Sequence, residues 1–222
     1  MIKSILKIVI IVMMLITITI SLYAEIEKIK KINVHYRNRK IYAIYIDNDT
    51  VIKDKDLKII KEVTDTLEVL GITKKDITDE GIKYITMLKK LRILGIGEAQ
   101  LTDAGMKYIG QLENLETLDI SQTKVTDEGL KYLQGLKKLK KLIIMYDKIT
   151  DKGIAYIKDL PLEVLYLTGT QVSDKSVPIL EKMKTLEELV IDKTKITPEG
   201  AKHLEDKLNA IVRYAYEDFS RE

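Results

Sequence analysis

From residue 41 onward, apolar and polar positions recur in a fixed order. One signature reads Leu67-x-x-Leu70-x-Ile72 and returns as Leu91-x-x-Leu94-x-Ile96 and Leu115-x-x-Leu118-x-Ile120. It continues as Leu139-x-x-Leu142-x-Ile144, Leu162-x-x-Leu165-x-Leu167 and Leu186-x-x-Leu189-x-Ile191, and a degenerate first copy is Ile41-x-x-Ile44-x-Ile46. The alternation at the end of each copy predicts a short strand with every second side chain turned inward. Further on stands a second apolar marker, Ile77, Leu101, Val125, Ile149, Val172 and Ile196, spaced by 24 residues with one spacing of 23. Behind the marker, apolar residues fall at helical spacing, as in Leu130, Leu133 and Leu136. Each unit is thus one strand and one short helix. A period of this length predicts units stacked in parallel on their neighbours.

A polar motif opens each helix: "DITDEGIKYI" (76–85), "QLTDAGMKYI" (100–109), "KVTDEGLKYL" (124–133), "KITDKGIAYI" (148–157), "QVSDKSVPIL" (171–180) and "KITPEGAKHL" (195–204). In the last copy Pro198 replaces the aspartate, and proline suits the first helical position. Thr197 is therefore expected to be the N-cap, and by alignment so are Thr78, Thr102, Thr126, Thr150 and Ser173. Asp79, Asp103, Asp127, Asp151 and Asp174 then occupy first turns, where the helix dipole favours a negative charge. The following glycine becomes Ser176 in one copy, which points to a demand for small size between neighbouring repeats rather than for positive φ. The motif reads as a capping device. It lacks the ligand spacing of a calcium loop and the lysine of a phosphate-binding loop.

The L-x-x-L-x-L spacing is the leucine-rich repeat pattern. With its period and its "(I/V)TDxGLxxL" helix start, the chain resembles the ribonuclease-inhibitor-like and cysteine-containing subtypes of that family over about residues 41–204. One departure is plain. The position those subtypes fill with Asn or Cys holds Thr123, Thr170 and Thr194 here, with Lys75, Ala99 and Asp147 in other copies. The resemblance implies an α/β leucine-rich repeat solenoid of about seven repeats. A curved parallel sheet would line the concave side and short helices the convex side, with outward strand side chains available to bind partners.

The ends fall outside the period. Met1–Ala24 has two lysines, an apolar run over Ile8–Leu22 and a small residue before Glu25, as a secretory signal peptide does. The alternative is an uncleaved membrane anchor, for which the run is slightly short. Residues 25–65 are expected to form an N-terminal cap and the degenerate first repeat, 66–209 the repeats of about 24 residues, and 210–222 a closing strand and tail with Val212 and Tyr214 inward. Export to the periplasm, cell surface or medium follows, or anchoring in the inner membrane. Cleavage removes two lysines and no acid, lowering the net charge from +3 to +1. No one-sided basic surplus remains, so a nucleic-acid partner is not expected.

Chemistry is sparse. There is no cysteine, and of the two histidines His203 falls in the column of Tyr84, Tyr108, Tyr132 and Tyr156 and reads as a helix-packing residue. "DNDTVIKDKD" (47–56) fails as a calcium loop at Val51 and Ile52 and reads as a solvated turn. Asp47, Asp119 and Asp192 lie on separate repeats, too scattered for a catalytic carboxylate site. No catalytic residue, metal site or cofactor is expected. The remaining candidate is the outward face of the sheet, where Ile143, Met145, Tyr146, Val164, Tyr166 and Val190 gather on the fourth, fifth and sixth strand signatures after the degenerate copy. Such a cluster has the composition of a protein-binding hot spot. β-Branched and aromatic residues also suit strands for their own sake. A protein partner, or a glycan, at this face is the first reading. A structural envelope component tethered by its N-terminal helix is the second, and the glycines at 71, 95 and 97 make the other half of the face look shallow.

Overall fold

The computed structural model describes residues 32–38, 40–46, 52–73 and 75–215. Residues 1–24, expected to be a targeting segment, and Asp47 lie outside the described residues. Leu70, Leu94, Leu118, Leu142, Leu165 and Leu189, the central residues of the strand signature, are all fully buried. Around them form β3 (Val69–Ile72), β4 (Ile93–Gly95), β5 (Thr117–Asp119), β6 (Lys141–Ile143), β7 (Val164–Tyr166) and β8 (Glu188–Val190). The degenerate copy supplies β2 (Lys40–Ile46), and β9 (Ile211–Arg213) closes the other end. The nine strands lie in chain order, and each from β2 to β9 runs parallel to the next. The leucines of neighbouring copies are register partners, as Leu94, Leu118 and Leu142 are. One core therefore runs the length of the stack.

The exception to parallel order is β1 (Ile32–Arg37), which pairs antiparallel with β2 through a turn at Asn38. This hairpin covers one end of the sheet. It also closes over Ala43, which the alternation assigns to the outward face; opposite His35 it is buried instead.

The helical layer is made of short helices of one to three turns. Asp79–Ile82 and Asp127–Leu130 are four-residue α-helices continued by 3₁₀ turns, whereas Asp103–Ile109 and Asp151–Ile157 run for seven residues. The final helix, Pro198–Lys207, is the longest α-helix among the described residues. All six expected caps accept a backbone N–H through their hydroxyl, as Thr102 does from Ala104 at 3.2 Å and Thr197 from Gly200 at 3.1 Å.

The aspartates do more than sit in first turns. Each reaches across to the cap of the following repeat. Asp103 takes the backbone N–H of Thr126 on Oδ1 at 2.7 Å and its hydroxyl on Oδ2 at 2.7 Å. Asp79 holds Thr102 in the same way, Asp127 holds Thr150, and Asp151 holds Ser173. Asp54, read from sequence as part of a solvated turn, is the first rung: it binds Thr78 N at 2.8 Å and Thr78 Oγ1 at 2.6 Å. The last rung is weaker, with Asp174 receiving only the N–H of Thr197.

The glycine requirement follows from this ladder. A Cβ on Gly129 would stand 2.6 Å from Asp103 Oδ1 and 2.8 Å from Val125 Cγ1. In the repeat that carries serine, Ser176 Oγ donates to Asp151 Oδ1 at 2.6 Å. Charge-assisted hydrogen bonds to half-buried carboxylates are each worth about 1.5–3 kcal/mol, less what the freed groups recover from water. Asp103→Ala is accordingly expected to cost about 2 kcal/mol in urea unfolding. A loss within error of zero would reduce the ladder to decoration.

Candidate binding face

Five residues past the starts of β4 to β8, the chain turns through a left-handed residue: Glu98, Gln122, Tyr146, Gly169 and Lys193, with φ between 54° and 72°. Four of the five carry a side chain, at a conformation that costs non-glycine residues about 1–2 kcal/mol. At Tyr146 (φ 61°) this turn throws the ring onto the sheet's rim, where it lies against Gly169 and remains 52% exposed. A Cβ on Gly169 would meet Cε1 of that ring at 2.7 Å, so the glycine makes room for it. The backbone is held from both sides, since Tyr146 N donates to Thr168 O at 2.8 Å and Met145 N to Ser121 Oγ at 3.2 Å.

The register brings together most of the residues singled out from sequence. Tyr166 stands between Ile143 on β6 and Val190 on β8, and Val164 is the partner of Lys141. Ile143, Met145, Val164 and Tyr166 are half-buried, and Tyr146 is exposed. Val190 differs: only 9% of it is exposed, between Tyr166 and Arg213 in register, so it supports the cluster from within. Tyr166 is pinned at both ends. Its hydroxyl donates to Glu188 Oε2 at 3.0 Å, and Glu188 is ion-paired with Arg213 at 3.0 Å. The Lys141 ammonium sits 5.0 Å from the ring centroid. Burial, and then the hydrogen bond to Glu188, push the phenol above its ordinary pKa, so it is a neutral donor throughout the physiological range.

Immediately behind Tyr146 lies Asp147, a carboxyl only 3% exposed. Its Oδ1 accepts the N–H of Thr123 at 2.7 Å and the hydroxyl at 3.1 Å. Its Oδ2 is buried without a hydrogen-bond partner. Burial pushes its pKa up to about 7 against the opposing pull of Thr123, and the charge of Asp119 adds to the rise.

Sequence reading passed over the other end of the face. Tyr45 and Ile93 are 43% and 41% exposed there, the Tyr45 ring leaning over Gly71, while Gly95 leaves open space beside it. The signal was Tyr45 itself, in the same column as Tyr166. His203 also departs from expectation. It is exposed on the last helix, with Nε2 2.8 Å from Glu181 Oε2, rather than packed beneath a neighbour. Of the tyrosine column it was grouped with, Tyr84, Tyr108 and Tyr156 are half-buried against the core, and Tyr132, like His203, is exposed. Lys131 and Lys152 lie over Tyr156 and together hold the Glu128 carboxyl down to about 2.

Among the described residues, no group of three His, Cys, Asp or Glu side chains is placed to hold a metal ion. No helix among them is long and apolar enough to cross a membrane.

The comparisons agree with this geometry. The leucine-rich repeat family profile matches residues 111–133, one period of the stack. Together with the strand register, this defines the class of fold: the chain is folded as an α/β leucine-rich repeat solenoid. Among solved structures it is similar in fold to two internalins of Listeria monocytogenes strain 4b F2365. With internalin C2 it shares 20% identity at a TM-score of 0.57, over 79% of this chain and 81% of that one. With the internalin inlF it shares 22% identity at a TM-score of 0.55, over 73% of this chain. The chain spans about half of inlF, 53% of its length. No curated protein matches it by sequence.

Proposed function

We propose that this protein is a recognition module without catalytic activity of its own, and that it binds a protein partner through the outward face of its sheet. The contact would centre on Ile143, Met145, Tyr146, Val164 and Tyr166, with Val190 beneath them. The observation that carries the reading is the pair of fixed aromatics: Tyr146 presented by a left-handed turn, and Tyr166 clamped by Lys141 and Glu188. Side chains already held in place lose little entropy on association, and buried aromatics supply much of the energy at interfaces. The N-terminal segment supports export, so the partner belongs to the cell envelope or its surroundings, with membrane contact only through that segment if it stays uncleaved.

The test is capture from envelope and culture fractions by the chain and by its Ile143→Glu/Tyr166→Glu variant, both shown folded by circular dichroism. A partner retained by the first and lost by the second is the expected result. Equal capture by both would move binding to the helices or the ends, and capture by neither would favour a structural role.

A further inference from the structure

The edge of the solenoid where the strands begin carries a groove that the proposed protein-binding face does not use. Two cavities of about 420 and 270 Å³ share Arg37, Glu68 and Lys90 and so run together. The combined groove passes from Lys40 and Tyr42 on β2 to Lys138 just before β6. By strand spacing that is roughly 19 Å, the length of a short oligosaccharide.

Its floor is built of alternating charges held in register by the backbone. Arg92 N donates to Glu68 O at 2.8 Å, Glu116 N to Arg92 O at 2.7 Å, and Lys140 N to Glu116 O at 2.9 Å. Above this, Arg37 bonds Glu68 at 3.2 Å, and Arg92 forks onto Glu116 at 2.9 and 2.7 Å. Both guanidiniums are therefore occupied. The ammonium groups of Lys90 and Lys138 are not: among the described residues neither forms an ion pair with a carboxylate, although the field of Lys138 reaches Glu116, and Lys40 at the far end of the groove forms none either. Lys138 donates to the neutral Asn114 Oδ1 at 2.7 Å, and the Asn114 amide donates to Lys89 O at 2.7 Å. Lys90 and Lys138 thus stand two repeats apart, roughly 10 Å by strand spacing, on either side of Asn114.

We infer that this groove binds an acidic polysaccharide, its carboxylates meeting Lys90 and Lys138 and its hydroxyls donating to Glu68 and Glu116. The mixed lining selects this class. Paired carboxylates keep lone pairs that accept further hydrogen bonds, which suits sugar hydroxyls, whereas an ionised polyphosphate brings acceptors and no donors to meet them. A neutral glycan leaves the two ammonium groups unanswered, and an acidic polypeptide offers charge but few hydroxyls.

Binding of the full chain is measured by titration calorimetry at 0.15 M salt against a uronic-acid polymer, neutral dextran, polyphosphate and polyglutamate. Binding to the uronic-acid polymer should exceed the other three. Lys90→Glu/Lys138→Glu should weaken it about tenfold or more, and Glu113→Lys, which adds an exposed cation between Lys89 and Lys137, should tighten it. Ile143→Glu/Tyr166→Glu should leave it unchanged, which separates this site from the protein-binding face. Polyphosphate or polyglutamate binding as tightly as the uronic-acid polymer, an unaltered affinity in the lysine double variant, or no binding at all would each overturn the assignment.

Discussion

Replacing Gly129 by leucine should lower the unfolding free energy by at least about 2 kcal/mol, the range for overpacking a filled core. The site has no slack. The first added carbon already stands 2.6 Å from Asp103 Oδ1, 2.8 Å from Val125 Cγ1 and 3.0 Å from Met106 Cγ. The larger side chain must displace either the apolar neighbours or the carboxylate, and moving the carboxylate also breaks its two bonds to Thr126. Gly129→Ala and Gly129→Ser then separate the causes. Serine carries the same Cβ but brings a hydroxyl that can donate to the carboxylate, as Ser176 does to Asp151. Serine should therefore cost less than alanine. A urea titration in which leucine leaves the midpoint unchanged would remove the packing argument, and serine costing more than alanine would remove the hydrogen-bonding one.

Asp147→Asn should stabilise the protein at pH 8 and leave it nearly unchanged at pH 4. The carboxyl titrates at about 7 in the folded chain against an ordinary 3.8. The folded state therefore keeps its proton to higher pH than the unfolded state does. The stabilisation from this group is complete below pH 3.8 and is lost as pH rises through 7. Above that, a charged carboxylate with one orphaned oxygen is buried near the charge of Asp119. Asparagine keeps the carbonyl that accepts from Thr123 and cannot ionise. Its amide inherits the place of the unpartnered Oδ2, which costs about 1–3 kcal/mol, much as the protonated acid's own O–H would. The net gain at pH 8 is then about 2 kcal/mol or more. Melting temperatures of both proteins from pH 4 to 8 decide it: the unsubstituted chain should fall more steeply. Parallel curves would mean that the carboxyl is hydrated in solution.

The repeat itself was legible because two periods carry it. Strand positions alternate and helix positions follow 3.6, so Leu118 and Leu130 each announce their face without reference to a neighbour. The caps were legible for a similar local reason, with Pro198 placing Thr197. What sequence reading missed lies across repeats or against local preference. Asp54 looks like a turn residue until Thr78 is seen 24 positions on, beside it in space. The β1 hairpin has no leucine spacing and few turn signals beyond Asn38. In the turns after β4 to β8 the left-handed residue is glycine only at Gly169, so Glu98, Gln122, Tyr146 and Lys193 give no warning. At the proposed binding face, alternation identified which side chains point outward but not how far large neighbours cover them. Hence Val190 was overvalued and Tyr45 and Ile93 undervalued. The burial of Asp147 is of the same kind, because threonine or alanine occupies most of its column and nothing nearby marks the carboxyl as enclosed.

The aspartate ladder bears on how such a chain can change its length. Each motif but the last, where Pro198 replaces the aspartate, carries both halves of a joint: a hydroxyl residue that fits the carboxylate before it, and a carboxylate that fits the hydroxyl after it. A segment copied in whole periods and spliced in tandem arrives with its joints complete on both sides, and no residue outside the copy has to change. Duplication or deletion of whole periods thus leaves the ladder's hydrogen bonds intact at every junction. Only the ends, with the hairpin at one and Asp174 holding Thr197 by a single bond at the other, are bound to their places.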